Sequence, residues 1–183
     1  MTDYYSNLMQ YVDIKTIVAQ KDWYINAHKI ADDIATLYGI PVFKVVGVIA
    51  ALSPRNKWYR NIIDTNNLIN AVINNLPLPS IATYGRQVKK AIDIINCHNQ
   101  AECLHHIGKG LKTLSFYHNI MLDFDYVTID IWIARAAGLC KYAPSKVEYV
   151  EIANTIKLIA RELNIQPAIV QAGIWVAVRG QAE

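Results

Sequence analysis

Apolar residues recur at intervals of three and four along most of the chain, the spacing that lines one face of an α-helix. Ile14, Ile17 and Val18, then Tyr24, Ala27, Ile30, Ala31 and Ile34, predict helices in the first segment. Gly39 and Pro41 supply a stop and a restart, and Val42–Leu52 follows as an almost wholly apolar stretch. A helix that is apolar all round belongs in the middle of a core. The β-branched run would also suit a buried strand, but the chain offers no second strand to pair with it, so a helix is preferred.

The same period runs through Ile62, Ile63, Leu68 and Val72, predicting a helix over 61–74 that the Asn-Leu-Pro-Leu-Pro-Ser run at 75–80 ends. Gly85 opens another through Val88, Ala91, Ile92 and Ile95. Ser145 with Glu148 three residues later forms a capping box for a helix that continues through Ile152–Leu163 to Asn164. Pro167 is placed as the first residue of a last helix toward Arg179. The expected class is all-α, with no internal repeat and no low-complexity linker.

A chain of 183 residues, 53% of them hydrophobic, is long enough for one domain or two small lobes without covalent staples. Cys97, Cys103 and Cys140 are odd in number and irregular in spacing, which argues against a disulfide framework or a zinc site. The polar start with Asp3 is unlike a signal peptide, and Lys44 interrupts the most apolar run, so a soluble, cytoplasmic protein is expected. A net charge of +3 permits a polyanionic partner without demanding one. The 11 tyrosines and 4 tryptophans are able to stack on bases, although at helical spacing aromatic residues more often build a core.

Chemistry concentrates in Leu104-His-His-Ile-Gly-Lys-Gly-Leu-Lys-Thr-Leu-Ser-Phe116. Gly108 and Gly110 separate two helical patterns by a very short connection, which reads as a helix-hairpin-helix or as an ordinary turn between helices. In the first case the glycines let successive backbone N–H groups converge on a phosphate oxygen, and Lys109 adds charge. Val127-Thr-Ile-Asp-Ile-Trp-Ile-Ala-Arg135 follows the second helix. Its Asp130 sits in an apolar run, where an unpaired carboxylate is costly, so it is a helix N-cap, a functional group or both; capping would leave one oxygen free. His105, His106 and His118 lack partners at metal-ligand spacing, and Lys89 and Lys90 read as a solvated helix face.

Taken together, Gly108-Lys-Gly-Leu-Lys-Thr113 and the later Asp130 resemble the HhH-GPD superfamily of DNA glycosylases, in its endonuclease III branch. There the hairpin reads G-x-G-x-K-T and the lysine is the nucleophile. Lys112 and Asp130 are eighteen residues apart, as in that branch, and Arg135 stands in register. The resemblance extends weakly to Ala51-Leu-Ser-Pro-Arg-Asn56, like the stretch that fills the space of an extruded nucleotide, and to the Gln171–Arg179 helix. Departures are His105-His106-Ile107 where Leu-Pro-Gly usually enters the hairpin, and Trp132 in place of a histidine. The sequence stops at Glu183, where a four-cysteine loop follows in many relatives, so no iron-sulfur cluster is expected.

The resemblance implies an enzyme that excises a damaged or modified base from double-stranded DNA. Lys112 would form a Schiff base with the sugar and permit strand cleavage. Asp130 would stabilise the positive charge that develops as the base leaves. Gly108, Lys109, Gly110 and Thr113 would bind the backbone, and Arg55 would act as the wedge. Trp58, Tyr59 and Trp132 are pocket or wedge candidates. The implied fold has two helical lobes, 38–128 ending in the hairpin and 1–37 with 129–183, around a cleft. A monomer without cofactor is expected, and the resemblance leaves room for a monovalent cation at the hairpin. The alternatives are a monofunctional glycosylase in which Lys112 only touches DNA, a non-catalytic DNA-binding protein and a helical protein-interaction domain.

Overall fold

A computed structural model describes residues 3–140 and 143–180. Eleven α-helices and no strand occur among the described residues, so the all-α expectation holds. The chain divides into two compact units, one of residues 26–121 and one built from the described residues of 1–25 and 122–182.

The unit of residues 26–121 holds most of α3 (Trp23–Tyr38), then α4 (Val42–Leu52), α5 (Trp58–Ile73), α6 (Gly85–Asn96), α7 (Gln100–Ile107) and α8 (Leu111–Ile120). As its sequence predicts, α4 is the core helix: every residue from Val45 to Leu52 is buried, and α5, α6, α7 and α8 all pack on it. Gly47 lets two of them close in, since a Cβ there would lie 2.8 Å from Cys103 Sγ and 2.9 Å from Ile94 Cγ2.

Helix α5 starts three residues before the apolar period shows it. Its inward face is polar at that end: Asn61, Asp64 and Thr65 are all buried. Asn61 Nδ2 donates to the Ile49 carbonyl at 2.9 Å. The fully buried Asp64 accepts from Arg60 Nε at 2.8 Å, Asn56 Nδ2 at 3.0 Å and the Ala82 N–H at 2.9 Å. One carboxylate therefore fastens both the turn after α4 and the loop before α6 to α5. A buried charge is tolerated only with such partners.

The other unit contains α1 (Tyr4–Met9), α2 (Ile14–Ala19), the first residues of α3, α9 (Ile131–Ala136), α10 (Lys146–Leu163) and α11 (Pro167–Arg179). Around α11 pack α2, α9 and α10, while α1 lies on α10. Side-chain caps start α1, α2 and α10: Asp3 accepts from the Ser6 N–H at 3.0 Å, Asp13 from the Thr16 N–H at 2.8 Å, and Ser145 with Glu148 forms the predicted capping box. Asn164, in the left-handed region, ends α10, and Pro167 opens α11, both as read from the sequence. The short α1 escapes a periodicity reading because six residues are under two turns. Among the described residues no single helix is long and apolar enough to cross a membrane.

Gly173 sets the closeness of α11 and α2. A Cβ added there would overlap Ile17 Cγ1 and lie 2.7 Å from the Ile17 Cα, a backbone atom that cannot rotate away. On helix propensity alone, Gly173→Ala would stabilise by up to ~1 kcal/mol. We expect the opposite, a loss of about 1–3 kcal/mol as α2 is pushed outward. Urea unfolding of the two proteins checks the sign, and a higher midpoint for the alanine variant would show that α2 moves aside without cost.

Candidate functional site

Asn99 starts α7 by accepting the Glu102 N–H at 2.9 Å, and buried Cys103 and Ile107 seat the helix against α4. The chain leaves α7 at Gly108, whose φ of 77° belongs to the region that favours glycine. After Lys109, Gly110 is the N-cap of α8 and offers no side chain to the first turn, so the opening N–H groups of α8 have no side-chain cap. Uncapped N–H groups at a helix start favour an anion. Lys109 and Lys112 are exposed and form no hydrogen bond or ion pair among the described residues. Thr113 is half-buried, its Oγ1 3.9 Å from where a Cβ on Gly110 would lie.

Lys90 departs from the sequence reading. Lys89 is exposed as expected, but Lys90 is half-buried and donates from Nζ to the Ile107 carbonyl at 2.8 Å, tying α6 to the end of α7. Burial, with the Arg86 charge one turn earlier, pulls its ammonium below the ordinary lysine value.

Asp130 is held from three directions. Before it, Val127, Thr128 and Ile129 are buried. The Tyr149 hydroxyl from α10 clamps that segment, accepting the Ile129 N–H at 3.1 Å and donating to the Val127 carbonyl at 2.9 Å. After it, Asp130 is the N-cap of α9, with Oδ1 accepting the Trp132 N–H at 2.9 Å and the Ile133 N–H at 3.0 Å. The other oxygen, expected to be free, is not: Trp175 Nε1 from α11 donates to Oδ2 at 2.9 Å. With two lone pairs per oxygen, both lobes of Oδ1 and one of Oδ2 are engaged, leaving one lobe of Oδ2 open among the described residues. The carboxylate is half-buried.

Two tryptophan–arginine stacks adjoin this carboxylate. The Arg135 guanidinium carbon lies 5.1 Å from the Trp132 ring centre, and that of Arg179 lies 4.8 Å from the Trp175 ring centre. Nearby, the buried Tyr24 donates its hydroxyl to Gln171 Oε1 at 2.8 Å. Burial holds the Tyr24 phenol far above its ordinary value, with the Asp130 charge adding to the shift.

Arg55 is exposed and adopts φ of 58°, unusual for a residue with a side chain. Its guanidinium lies 5.1 Å from the Tyr84 ring centre, and Arg86 lies 5.4 Å from the same ring. Thr83 Oγ1 donates to the Pro54 carbonyl at 2.8 Å, so the two loops share one surface. Of the neighbouring candidates, Tyr59 is 61% exposed, while Trp58 is half-buried edge-on to Phe116. Arg55, Trp58, Tyr59 and Gly108 to Thr113 thus fall in the unit of residues 26–121, and Asp130 and Trp132 in the other.

Sequence reasoning missed the roles of Lys90, Tyr84, Tyr149 and Trp175. Only Trp175 carried a signal, as part of the Gln171–Arg179 resemblance. The other three act through a single terminal atom or a ring face, which no periodicity reports.

Neither the curated proteins nor the solved structures contain a significant match to the chain. A family profile does match, over residues 3–182. The chain belongs to that family, DUF7178, a family of unknown function.

Proposed function

We propose that the protein is a DNA glycosylase of the helix-hairpin-helix type that removes a damaged or modified base from duplex DNA, with an associated lyase step through Lys112. The observation that carries the reading is the pairing of two settings. Lys112 stands exposed in the first turn of a helix with no side-chain cap, behind two glycines, and Asp130 is a half-exposed carboxylate that accepts from three N–H donors. The first setting suits a backbone phosphate and an amine nucleophile, the second a cationic sugar.

In this reading the sugar's C1′–N bond breaks as positive charge grows on the sugar, and Asp130 offsets that charge. With so many donors on the carboxylate, electrostatic stabilisation suits it better than proton abstraction. The base leaves with the bonding pair, the neutral amine of Lys112 bonds to C1′, and the C1′–O4′ bond breaks as the amine's proton passes to O4′, giving the imine from which β-elimination cleaves the strand. Lys112 is exposed, so the desolvation an amine nucleophile requires must come from the DNA that covers it. Arg55, freed from Tyr84, fills the gap left by the extruded nucleotide.

The exposure of Lys112 also favours a second reading, in which it contacts only phosphate and water attacks the sugar. Borohydride added during turnover on defined-lesion duplexes separates the two. A trapped protein–DNA adduct mapping to Lys112, lost in Lys112→Gln, is the expected outcome. Base release without any adduct selects the monofunctional enzyme, and no base release on any lesion rejects the glycosylase reading.

Asp130→Asn is expected to slow base release by ~100-fold or more while duplex affinity is retained. Trp175→Phe keeps an aromatic ring under Arg179 but removes the donor to Oδ2. We expect kcat for base release to fall by about 10-fold with KM unchanged, since the lost contact orients a carboxylate whose proposed partner, the charge on the sugar, develops only in the transition state. Because the two α9 capping bonds persist, thermal stability should hold. Equal losses of stability and activity would mean that Trp175 is only a packing residue.

A further inference from the structure

We infer that Lys90 is the built-in cation of the turn between α7 and α8: its ammonium, fixed on the Ile107 carbonyl, takes the place of a monovalent metal ion at that oxygen and orders the backbone leading into α8. The last link, from ordered backbone to phosphate binding, rests on the proposed function. The first stands on geometry alone.

The end of a helix concentrates partial negative charge on carbonyls that have no N–H partner further along. At the end of α7, Gly108 N–H satisfies the Leu104 carbonyl at 3.0 Å, while the Ile107 carbonyl turns to Lys90 Nζ at 2.8 Å. The donor arrives from a different helix, so this one bond fastens the mouth of the turn to α6. A turn with glycine at both ends has unusual backbone freedom, and a tether at its entry removes much of it.

A metal ion does not fit these surroundings. A metal ion on the Ile107 oxygen would have to share it with a half-buried ammonium 2.8 Å away, and Nζ also lies 3.8 Å from where a Cβ on Gly108 would be. Arg86, one turn earlier on α6, places a second positive charge close enough to act on Lys90. An incoming cation would therefore have to displace one charge and approach another. The expectation of a monovalent cation at the hairpin gives way to a cation supplied by the chain itself. Lys90 keeps two further N–H donors, and with exposed Lys109 it leaves the turn positively charged.

The test is amide hydrogen exchange of the full-length protein over residues 108–113, in potassium, sodium and tetramethylammonium chloride at equal ionic strength. Wild type should exchange identically in all three salts. Lys90→Met should raise exchange in this segment by about 10-fold, as loss of a hydrogen bond to a charged donor would, with α4 and α5 unchanged. Lys90→Arg should restore the wild-type pattern, which simple loss of packing would not predict. Unchanged exchange in Lys90→Met, or a wild-type turn that tightens only in one salt, would overturn the inference. The wild-type salt comparison and Lys90→Arg decide it even if the methionine variant is unstable. Duplex affinity measured alongside should fall in Lys90→Met by about the same factor. If the exchange pattern appears but wild type binds no duplex, the DNA reading fails and the built-in cation stands.

Discussion

A helix with no polar face has to be surrounded. In α4 the run from Val45 to Leu52 is buried without a break, and this requirement organises the unit of residues 26–121. Four helices cover it, and two of them, α6 and α7, approach closely because Gly47 has no side chain. Apolar surface removed from water contributes roughly 25 cal/mol per Å², so the alternative of leaving any face of α4 open is costly. Everything of chemical interest in this unit hangs from that packing. The turn at Gly108 begins where α7 leaves α4, and the turn at Arg55 begins where α4 itself ends.

What the sequence made legible follows from the same physics. Apolar periodicity reports burial, so α4, α6, α10 and α11 could be read closely, and caps fixed their ends where Ser145, Glu148 and Pro167 supplied a chemical signature. The start of α5 was illegible because its buried face is built from Asn61, Asp64 and Thr65, whose burial depends on hydrogen-bond partners remote in sequence. The short α1 escaped because six residues are too few to show a period, and its hydroxyl bond from Tyr5 to Glu162 at 2.6 Å reaches across nearly the whole chain. A polar contact of that kind has no period.

The candidate site divides along the same line. Gly108, Gly110, Lys112 and Asp130 were visible as residue types at a fixed spacing, and the structure finds a glycine-type conformation at Gly108 and an N-cap at Asp130. How those groups are held was not visible. The sequence suggested a spare oxygen on Asp130 and a solvated Lys90. Both expectations failed because each residue found a partner on another helix, Trp175 in one case and the Ile107 carbonyl in the other. Half-buried charged groups are the positions where local reasoning is weakest, since desolvation favours whatever partner the tertiary fold supplies.

That pattern bears on how one residue can serve structure and chemistry together. A cap has to present a negative oxygen to N–H groups at a fixed distance, and a carboxylate that stabilises a cationic transition state has to be just as firmly oriented before the substrate arrives. For Asp130 the same bonds would serve both the cap and the proposed chemistry: two N–H groups of α9 orient Oδ1, and Trp175 holds Oδ2, leaving a single lone pair open among the described residues. Tyr149 completes the arrangement by fixing the backbone on the other side of the aspartate. In the proposed reaction little reorganisation is then needed as charge develops, which is where preorganised electrostatics gain over water. The N-cap role and the proposed catalytic role are therefore not competing explanations of Asp130, because the first supplies the rigidity that the second requires.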